Sequence, residues 1–209
     1  MYTPGDNRMH PRSTPPPPPP PGLVWQQPNV AALNRFTWNI WLWVVWGVPL
    51  VTTAIKYLAP GGTEKLFFMV FTPFVIVGAG CLGWLPRFIL KKRGFRYSPS
   101  AVSAVFHVHW WAFAMSILAI NGSVVTVDVT HVPSPLGQVL PFIARDASNA
   151  ISGIGFLLVV VSYIVLILLA SMTERQTQAR TRSWVTLLTM LTTPVAMITL
   201  GLVVQALGN

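Results

Sequence analysis

The chain has 209 residues, of which 53% are hydrophobic and only 9% are charged. A soluble domain carries about 25% charged residues, so this composition excludes an ordinary cytosolic enzyme and predicts a polytopic membrane protein. The one cysteine, Cys81, cannot form an internal disulfide, which excludes a disulfide-stapled secreted domain. The net charge is +9, but we expect no nucleic-acid partner, because a basic binding groove needs a soluble scaffold to carry it.

The first 29 residues form a low-complexity segment that contains seven consecutive prolines, residues 15–21. Such a run favours polyproline II, and the segment has too few apolar residues to offset the entropy of ordering. We therefore predict a disordered cytoplasmic tail, residues 1–29, that is either a stiff spacer or a docking segment for a cytoplasmic partner. Pro28 and Asn29 predict a helix start, with Asn29 as the N-cap, that leads into the first span.

Five segments are apolar over the roughly 20 residues that a membrane-spanning helix requires. The predicted fold is therefore an all-α integral membrane domain, residues 30–209, with five transmembrane helices at about residues 36–58, 66–90, 101–121, 149–171 and 184–207. Cytoplasmic loops of membrane proteins carry an excess of Lys and Arg. If the N-terminus is inside, only Lys56, Lys65 and Arg145 of the 14 basic residues lie outside. We expect the N-terminus inside, the C-terminus outside, and a multi-pass protein of the cell (plasma) membrane, most simply the bacterial inner membrane.

The outer loop, residues 122–148, is longer than the other connections, and long loops often carry function or structure of their own. Val alternates with polar residues over 125–132, which predicts a strand-like segment. The helical spacing of Leu136, Val139, Leu140 and Ile143 predicts a short amphipathic stretch on the outer membrane surface, bent at Pro141, that packs against a neighbour.

Residues 78–83 read Gly-Ala-Gly-Cys-Leu-Gly and match the G-x-G-x-x-G pattern of dinucleotide sites. That motif requires a preceding strand and an acidic residue about 20 positions later, and both are absent from the sequence pattern here. Small residues four positions apart let membrane helices approach closely. We therefore predict a helix-packing face formed by Ala79, Gly80 and Gly83 rather than a nucleotide site.

His107 and His109 lie in the third predicted span, beside Trp110 and Trp111. Histidine is rare at membrane depth, where it usually has a function or a polar partner. The two residues are 200° apart on a helix and cannot chelate one metal together. Either could ligate a haem or relay protons, but no span offers a second axial histidine or a carboxylate. We predict no metal and no cofactor, structural hydrogen bonds for both histidines, and a packing role for the two tryptophans.

The first predicted span contains a cluster of four tryptophans, Trp38, Trp41, Trp43 and Trp46. They are too widely spread in angle to form one stripe, so some are expected to face lipid and others to face neighbouring helices. Asn39 lies among them, and we expect it to have a polar partner across a helix interface.

The last span carries threonines at positions 186, 189, 192, 193 and 199. Their hydroxyls are expected to bond back to carbonyls of their own helix, and the alternative is a hydrated path along the stripe. On the inner side of the second span, a basic cluster is predicted to bind anionic lipid headgroups; it consists of Lys91, Lys92, Arg93 and Arg96.

The sequence shows no nucleophile with a base, no carboxylate pair in a span and no metal-ligand constellation, so we do not expect an enzyme. It also shows no internal repeat of the kind found in secondary transporters. The function that fits these features is a non-catalytic accessory or structural subunit of a larger membrane complex, with lipids and other integral membrane subunits as partners. Host complexes of this kind include a respiratory-chain supercomplex, a secretion machine and a cell-envelope assembly. Two alternatives remain open: a small channel or transporter component, and a haem-binding electron-transfer protein that uses His107 or His109.

Overall fold

The computed structural model describes residues 32–60, 62, 64–125, 129–173 and 183–208. Its elements in chain order are α1 (Ala32–Leu58), α2 (Glu64–Lys92), α3 (Ser100–Leu118), β1 (Gly122–Val125), β2 (Val129–Val132), α4 (Pro135–Val139), α5 (Arg145–Met172) and α6 (Ser183–Gly208). Five of these helices, α1, α2, α3, α5 and α6, are long and apolar enough to cross a membrane, as predicted. The predicted Pro-rich tail and the Asn29 cap lie outside the described residues.

The helix limits follow the predicted spans except at the end of α3. The other four helices contain the whole of their predicted spans. We predicted that the third span would continue to residue 121, but α3 ends at Leu118, and Ala119 caps it by donating its backbone N–H to Met115 O. The prediction was wrong here because Asn121 is held by hydrogen bonds to residues after the strands instead of continuing the helix.

The central helix of the bundle is α3. It packs against α1, α5 and α6, while α2 lies outside it against α1 and α5. In the apolar stretch of α3, 72% of the residues are buried inside the protein, against 11% in α2. The remaining spans therefore present most of their surface to the surroundings, as expected of a small bundle in lipid.

Two apolar clusters surround α3. In the first, the Trp41 ring of α1 stacks on Phe106 of α3, with ring centroids 4.0 Å apart, and the Trp41 Nε1–H donates to Gly83 O at 3.0 Å. The second lies between α3, α5 and α6 and is formed by Ala112, Met115, Ala119, Ile143, Ala147, Ile151 and Met197. Together the clusters bind α3 to both α1 and the α5–α6 pair.

The helix ends form two layers, which we name by their residues. The basic end carries Arg35, Lys91, Lys92, Arg93 and Arg96. There α2 terminates in a Schellman motif, in which Phe95 N donates to Leu90 O and Gly94 N donates to Lys91 O. Gly94 has a φ of 80°, a conformation that glycine adopts without a Cβ penalty.

The opposite end, the hairpin end, contains β1, β2 and α4. The two strands pair antiparallel, with Ser123 opposite His131. The strand-like segment predicted over residues 125–132 contains the whole of β2 but only the last residue of β1, which begins earlier, at Gly122. The predicted amphipathic stretch is also shorter, since α4 ends at Val139 and does not extend through Pro141.

Glycines in α5 provide a test of the α3–α5–α6 packing. A Cβ on Gly155 would press on the Ser116 hydroxyl and lie 2.9 Å from Met197 Cε and 3.2 Å from Ala112 O, whereas a Cβ on Gly153 would meet nothing within 4 Å. Gly155→Ala should lower the free energy of unfolding by about 1–3 kcal/mol through overpacking. Gly153→Ala, two positions away, should leave it unchanged or slightly raised. Reversible unfolding in detergent micelles measures both, and equal effects of the two variants would contradict this packing.

Candidate functional site

The polar side chains of α3 are its most unusual feature, and they divide between two sides of the helix. His107 faces α1, where Thr37 Oγ1 lies 3.2 Å from His107 Nε2. The Thr37 hydroxyl donates its hydrogen to Leu33 O at 2.9 Å. We therefore assign the hydrogen of this contact to His107 Nε2, which donates to the Thr37 oxygen. The bond joins α1 to α3 in the half of the bundle near the basic end.

A second polar group, one turn closer to the basic end, joins three helices. Asn34 Nδ2 donates to Ser100 Oγ at 2.9 Å, and the Thr186 hydroxyl lies 3.4 Å from both Asn34 Oδ1 and Ser100 O. Asn34 and Thr186 are completely buried. The group links α1, α3 and α6 through hydrogen bonds of buried side chains. Neither Asn34 nor Ser100 was predicted from the sequence to lie at such a site.

His109 faces the other way, toward α5. Its Nδ1 lies 3.2 Å from Val159 O and 3.1 Å from Ser162 Oγ, and Ser162 Oγ itself donates to Val159 O at 3.1 Å. A carbonyl oxygen only accepts, so this network assigns the ring hydrogen to Nδ1. The Nε2 atom then carries a lone pair, and it has no hydrogen-bond partner in the described part of the chain.

The His109 ring also lines a crevice of about 380 Å³ between α2 and α5. Phe113 of α3 forms the floor with it, and both side chains are more than nine-tenths buried. The rest of the lining is apolar apart from Tyr163, whose hydroxyl donates to Leu82 O at 3.2 Å. His109 Nε2 is therefore an isolated acceptor in an apolar cleft.

Two cations support the helix ends. Lys56, which is only 3% exposed, donates from Nζ to Ile120 O at 2.6 Å beyond the end of α3. Arg93 donates to Ala170 O at 2.8 Å in the last turn of α5. A cation at the carboxyl end of a helix donates hydrogen bonds to the free carbonyls there, and it interacts favourably with the negative end of the helix dipole. Arg93 thus has a role in the fold, whereas Lys91, Lys92 and Arg96 are exposed at the basic end, and their predicted lipid contacts stay a prediction.

The hairpin end contains a polar network centred on Asn121. Its side chain donates to Asn149 Oδ1 at 2.9 Å and accepts from Ser134 N at 3.1 Å. Arg145 Nη1 donates to His131 Nε2 at 2.8 Å across a polar cleft of about 460 Å³. These bonds attach the strands and the start of α4 to the first turns of α5.

The residues predicted to pack occupy different environments. Gly80 receives the ring of Trp46, and a Cβ on Gly83 would lie 2.7 Å from Trp110. Both glycines therefore serve contacts within the chain, as does Ala79, which packs against the first apolar cluster. Trp110 is 4% exposed and Trp111 37%. In the amphipathic stretch, Ile143 is buried, Leu136 and Leu140 pack against the second cluster, and Val139 is 77% exposed.

The tryptophans of α1 face different surroundings, as their angular spread predicts: Trp41 is buried and Trp43 is 81% exposed. Asn39 is exposed, and its predicted polar partner is absent from the described part of the chain. At 100° per residue, Asn39 and Trp43 share an arc of about 80° with three further residues in the stretch 39–54 of α1. We name this set the α1 outer face; it consists of Asn39, Trp43, Gly47, Leu50 and Ala54.

The geometry also bears on the alternatives from the sequence. Of the threonines in α6, those at 189, 192, 193 and 199 bond to carbonyls of their own helix, so they do not form an open polar stripe. No group of three or more His, Cys, Asp or Glu side chains comes together among the described residues.

Comparison of the chain with protein-family models, with curated proteins and with solved structures gives no match.

The Asn34 group predicts a measurable contribution to stability. Asn34→Ala removes two interhelical hydrogen bonds and leaves Ser100 Oγ without its donor, so we expect a loss of about 1–2 kcal/mol in the free energy of unfolding. Asn39→Ala, the same substitution on the exposed side of the same helix, should leave it unchanged. Unfolding of both variants in the same micelle measures the difference, and a larger loss for Asn39→Ala would be inconsistent with these contacts.

Proposed function

We propose that the protein is a non-catalytic accessory subunit of a larger membrane complex and that it docks on an integral membrane partner through the α1 outer face. The supporting observation is the pair of unpaired polar side chains on that face. The Asn39 amide and the Trp43 indole N–H have no hydrogen-bond partner within the described residues, and both side chains are exposed.

The depth of these groups makes their exposure costly. Arg35 and Lys56 lie 21 positions apart on α1, roughly 31 Å along a helix, which matches the thickness of the hydrocarbon core. Trp43 is then about 12 Å inside the core, below the interface where tryptophan normally sits. Hydrocarbon offers no acceptor, and an unsatisfied polar group there costs several kcal/mol. A partner helix with polar side chains removes that cost.

The shape of the face supports the same proposal. Gly47 lies between Trp43 and Leu50 on the face, and a Cβ added to it would meet nothing within 4 Å. Glycine therefore has no packing role there within the described chain, although it lowers helix propensity by about 1 kcal/mol relative to alanine. Small residues at helix interfaces in membranes let backbones approach closely, so the notch at Gly47 suits a helix of another subunit.

The two alternatives from the sequence receive less support. A channel requires a polar pore face, and four of the α6 threonine hydroxyls are already bonded to their own helix. A haem on His109 requires a second axial ligand or an open distal position; the described residues that line the crevice include no other histidine, methionine or cysteine. We retain the cell (plasma) membrane, most simply the bacterial inner membrane, as the proposed location, with the basic end toward the cytoplasm.

The docking proposal predicts the outcome of purification from native membranes. In mild detergent the full chain should co-purify with defined integral membrane subunits. Gly47→Leu should abolish this retention by filling the notch. Trp43→Phe, which keeps the ring but removes the N–H, should weaken it about fivefold or more, the value of a lost interhelical hydrogen bond.

The matched control is Gly78→Leu on α2, where a Cβ also meets nothing within 4 Å. It introduces the same side chain at an open glycine outside the α1 outer face, and it should leave partner retention intact. A wild-type chain that purifies alone, or a Gly47→Leu chain that retains its partners in full, would refute the proposed function.

Orientation is tested separately with single cysteines in a Cys81→Ser background. Lys92→Cys at the basic end should react with a membrane-impermeant maleimide only in inverted vesicles. Gln138→Cys in α4, at the hairpin end, should react only in right-side-out vesicles or intact cells. The reverse labelling pattern would place the basic end outside and contradict the charge argument.

A further inference from the structure

The crevice between α2 and α5 has features that docking through α1 does not explain. Its floor is formed by His109 and Phe113 of the central helix, and its rim is formed by apolar side chains that are more than half exposed, among them Phe74, Leu82 and Ile164. In a bilayer this rim faces the hydrocarbon. A molecule that occupies the crevice therefore enters sideways from the membrane interior and must be largely apolar.

The floor supplies a single hydrogen-bond acceptor. The Nδ1–H of His109 is engaged with Val159 O and Ser162 Oγ, and this second bond at the back of the ring fixes which nitrogen remains available. The Tyr163 hydroxyl, the other polar side-chain group of the lining, is used by Leu82 O. His109 Nε2 has no partner in the described chain, and an acceptor without a donor is unfavourable in an apolar cleft.

We propose that the crevice binds an apolar ring compound that carries a hydroxyl group, of the phenol or quinol class, and that this hydroxyl donates to His109 Nε2. The aromatic side chains of Phe74, Phe113 and Tyr163 in the lining suit a flat ring. A cavity of about 150 Å³ holds benzene, so the 380 Å³ crevice holds a substituted ring and the first part of an alkyl tail.

Other occupants match these features less well. A membrane helix uses its backbone N–H groups internally and presents no donor at the depth of His109 unless a side chain reaches in. A phospholipid headgroup brings charges, and the described lining contains no charged side chain to receive them. The proposal is independent of the docking function, because it depends on α2, α3 and α5 and not on the α1 outer face.

The test compares 4-nonylphenol with its methyl ether, 4-nonylanisole, which has nearly the same shape and no hydrogen-bond donor. Binding is measured on the full chain in lipid nanodiscs, with the protein labelled with ¹⁵N-histidine and probe concentration expressed per lipid. The phenol should shift the His109 Nε2 resonance in the direction of an acceptor nitrogen that gains a hydrogen bond. It should bind about tenfold more tightly than the ether, the ratio that one neutral hydrogen bond supplies. 1-Nonanol, which has the hydroxyl but no ring, should bind more weakly than the phenol.

Three variants complete the experiment. His109→Phe should bring the affinities of phenol and ether to the same value. Gly78→Leu should abolish binding of both by filling the crevice from α2 while it leaves His109 in place, and its open surroundings allow the chain to fold. Gly47→Leu, which tests the docking proposal, should bind the phenol as the wild type does. Equal binding of phenol and ether to the wild type, an unmoved Nε2 resonance, or unchanged binding to Gly78→Leu would each overturn the proposal.

Discussion

The structure depends on one constraint: inside a membrane, a polar group must find its partner in protein, because hydrocarbon offers none. This constraint selects α3 as the central helix. It is the most buried of the five spans, and polar side chains are enclosed within it, among them His107, His109 and Ser116. Here Ser100 and His107 require side chains from α1 and α6, and His109 requires α5, so α3 lies where all three can reach it.

The same constraint gives meaning to polar groups that are left over. Asn34 and Asn39 are the same residue type on the same helix, yet one is fully buried among hydrogen bonds and the other is exposed. His107 and His109 each engage one ring nitrogen in a contact between helices, Nε2 in the first and Nδ1 in the second, and His109 in addition lines the apolar crevice. Side chains that bond within the fold hold the bundle together, and exposed polar groups that lack a partner among the described residues are the ones that other molecules can reach. Ser103 Oγ and Trp110 Nε1 also lack a hydrogen-bond partner in the described part of the chain, but they are enclosed within the bundle.

The five spanning helices could be predicted from the sequence because the length of an apolar run is a local property. The central position of α3 could not, because it depends on which polar side chains meet across helices. A signal was present: Asn34, Thr37 and Trp41 recur on one face of α1, and all three contact α2, α3 or α6. The end of α3 was mispredicted for a related reason, since Asn121 bonds to residues that follow it by more than ten positions.

The glycines show how far a composition argument can extend. The spacing of small residues predicts a packing face at Ala79, Gly80 and Gly83, and the neighbouring Gly78 has different surroundings. Gly80 and Gly83 are filled by tryptophans of α1 and α3, whereas Gly78 opens onto the crevice. Gly47 is also open, on a different helix and beside the unpaired Trp43. Two of the open glycines thus share a surface with a polar atom that lacks a partner in the described chain: Gly47 shares the α1 outer face with Nε1 of Trp43, and Gly78 lines the same crevice as His109. A glycine without a packing contact lowers helix propensity, and a polar group without a hydrogen bond is unfavourable in hydrocarbon; these are independent costs. The two costs occur together at the α1 outer face and again at the crevice. We therefore assign the α1 outer face to a protein partner and the crevice to a small apolar molecule.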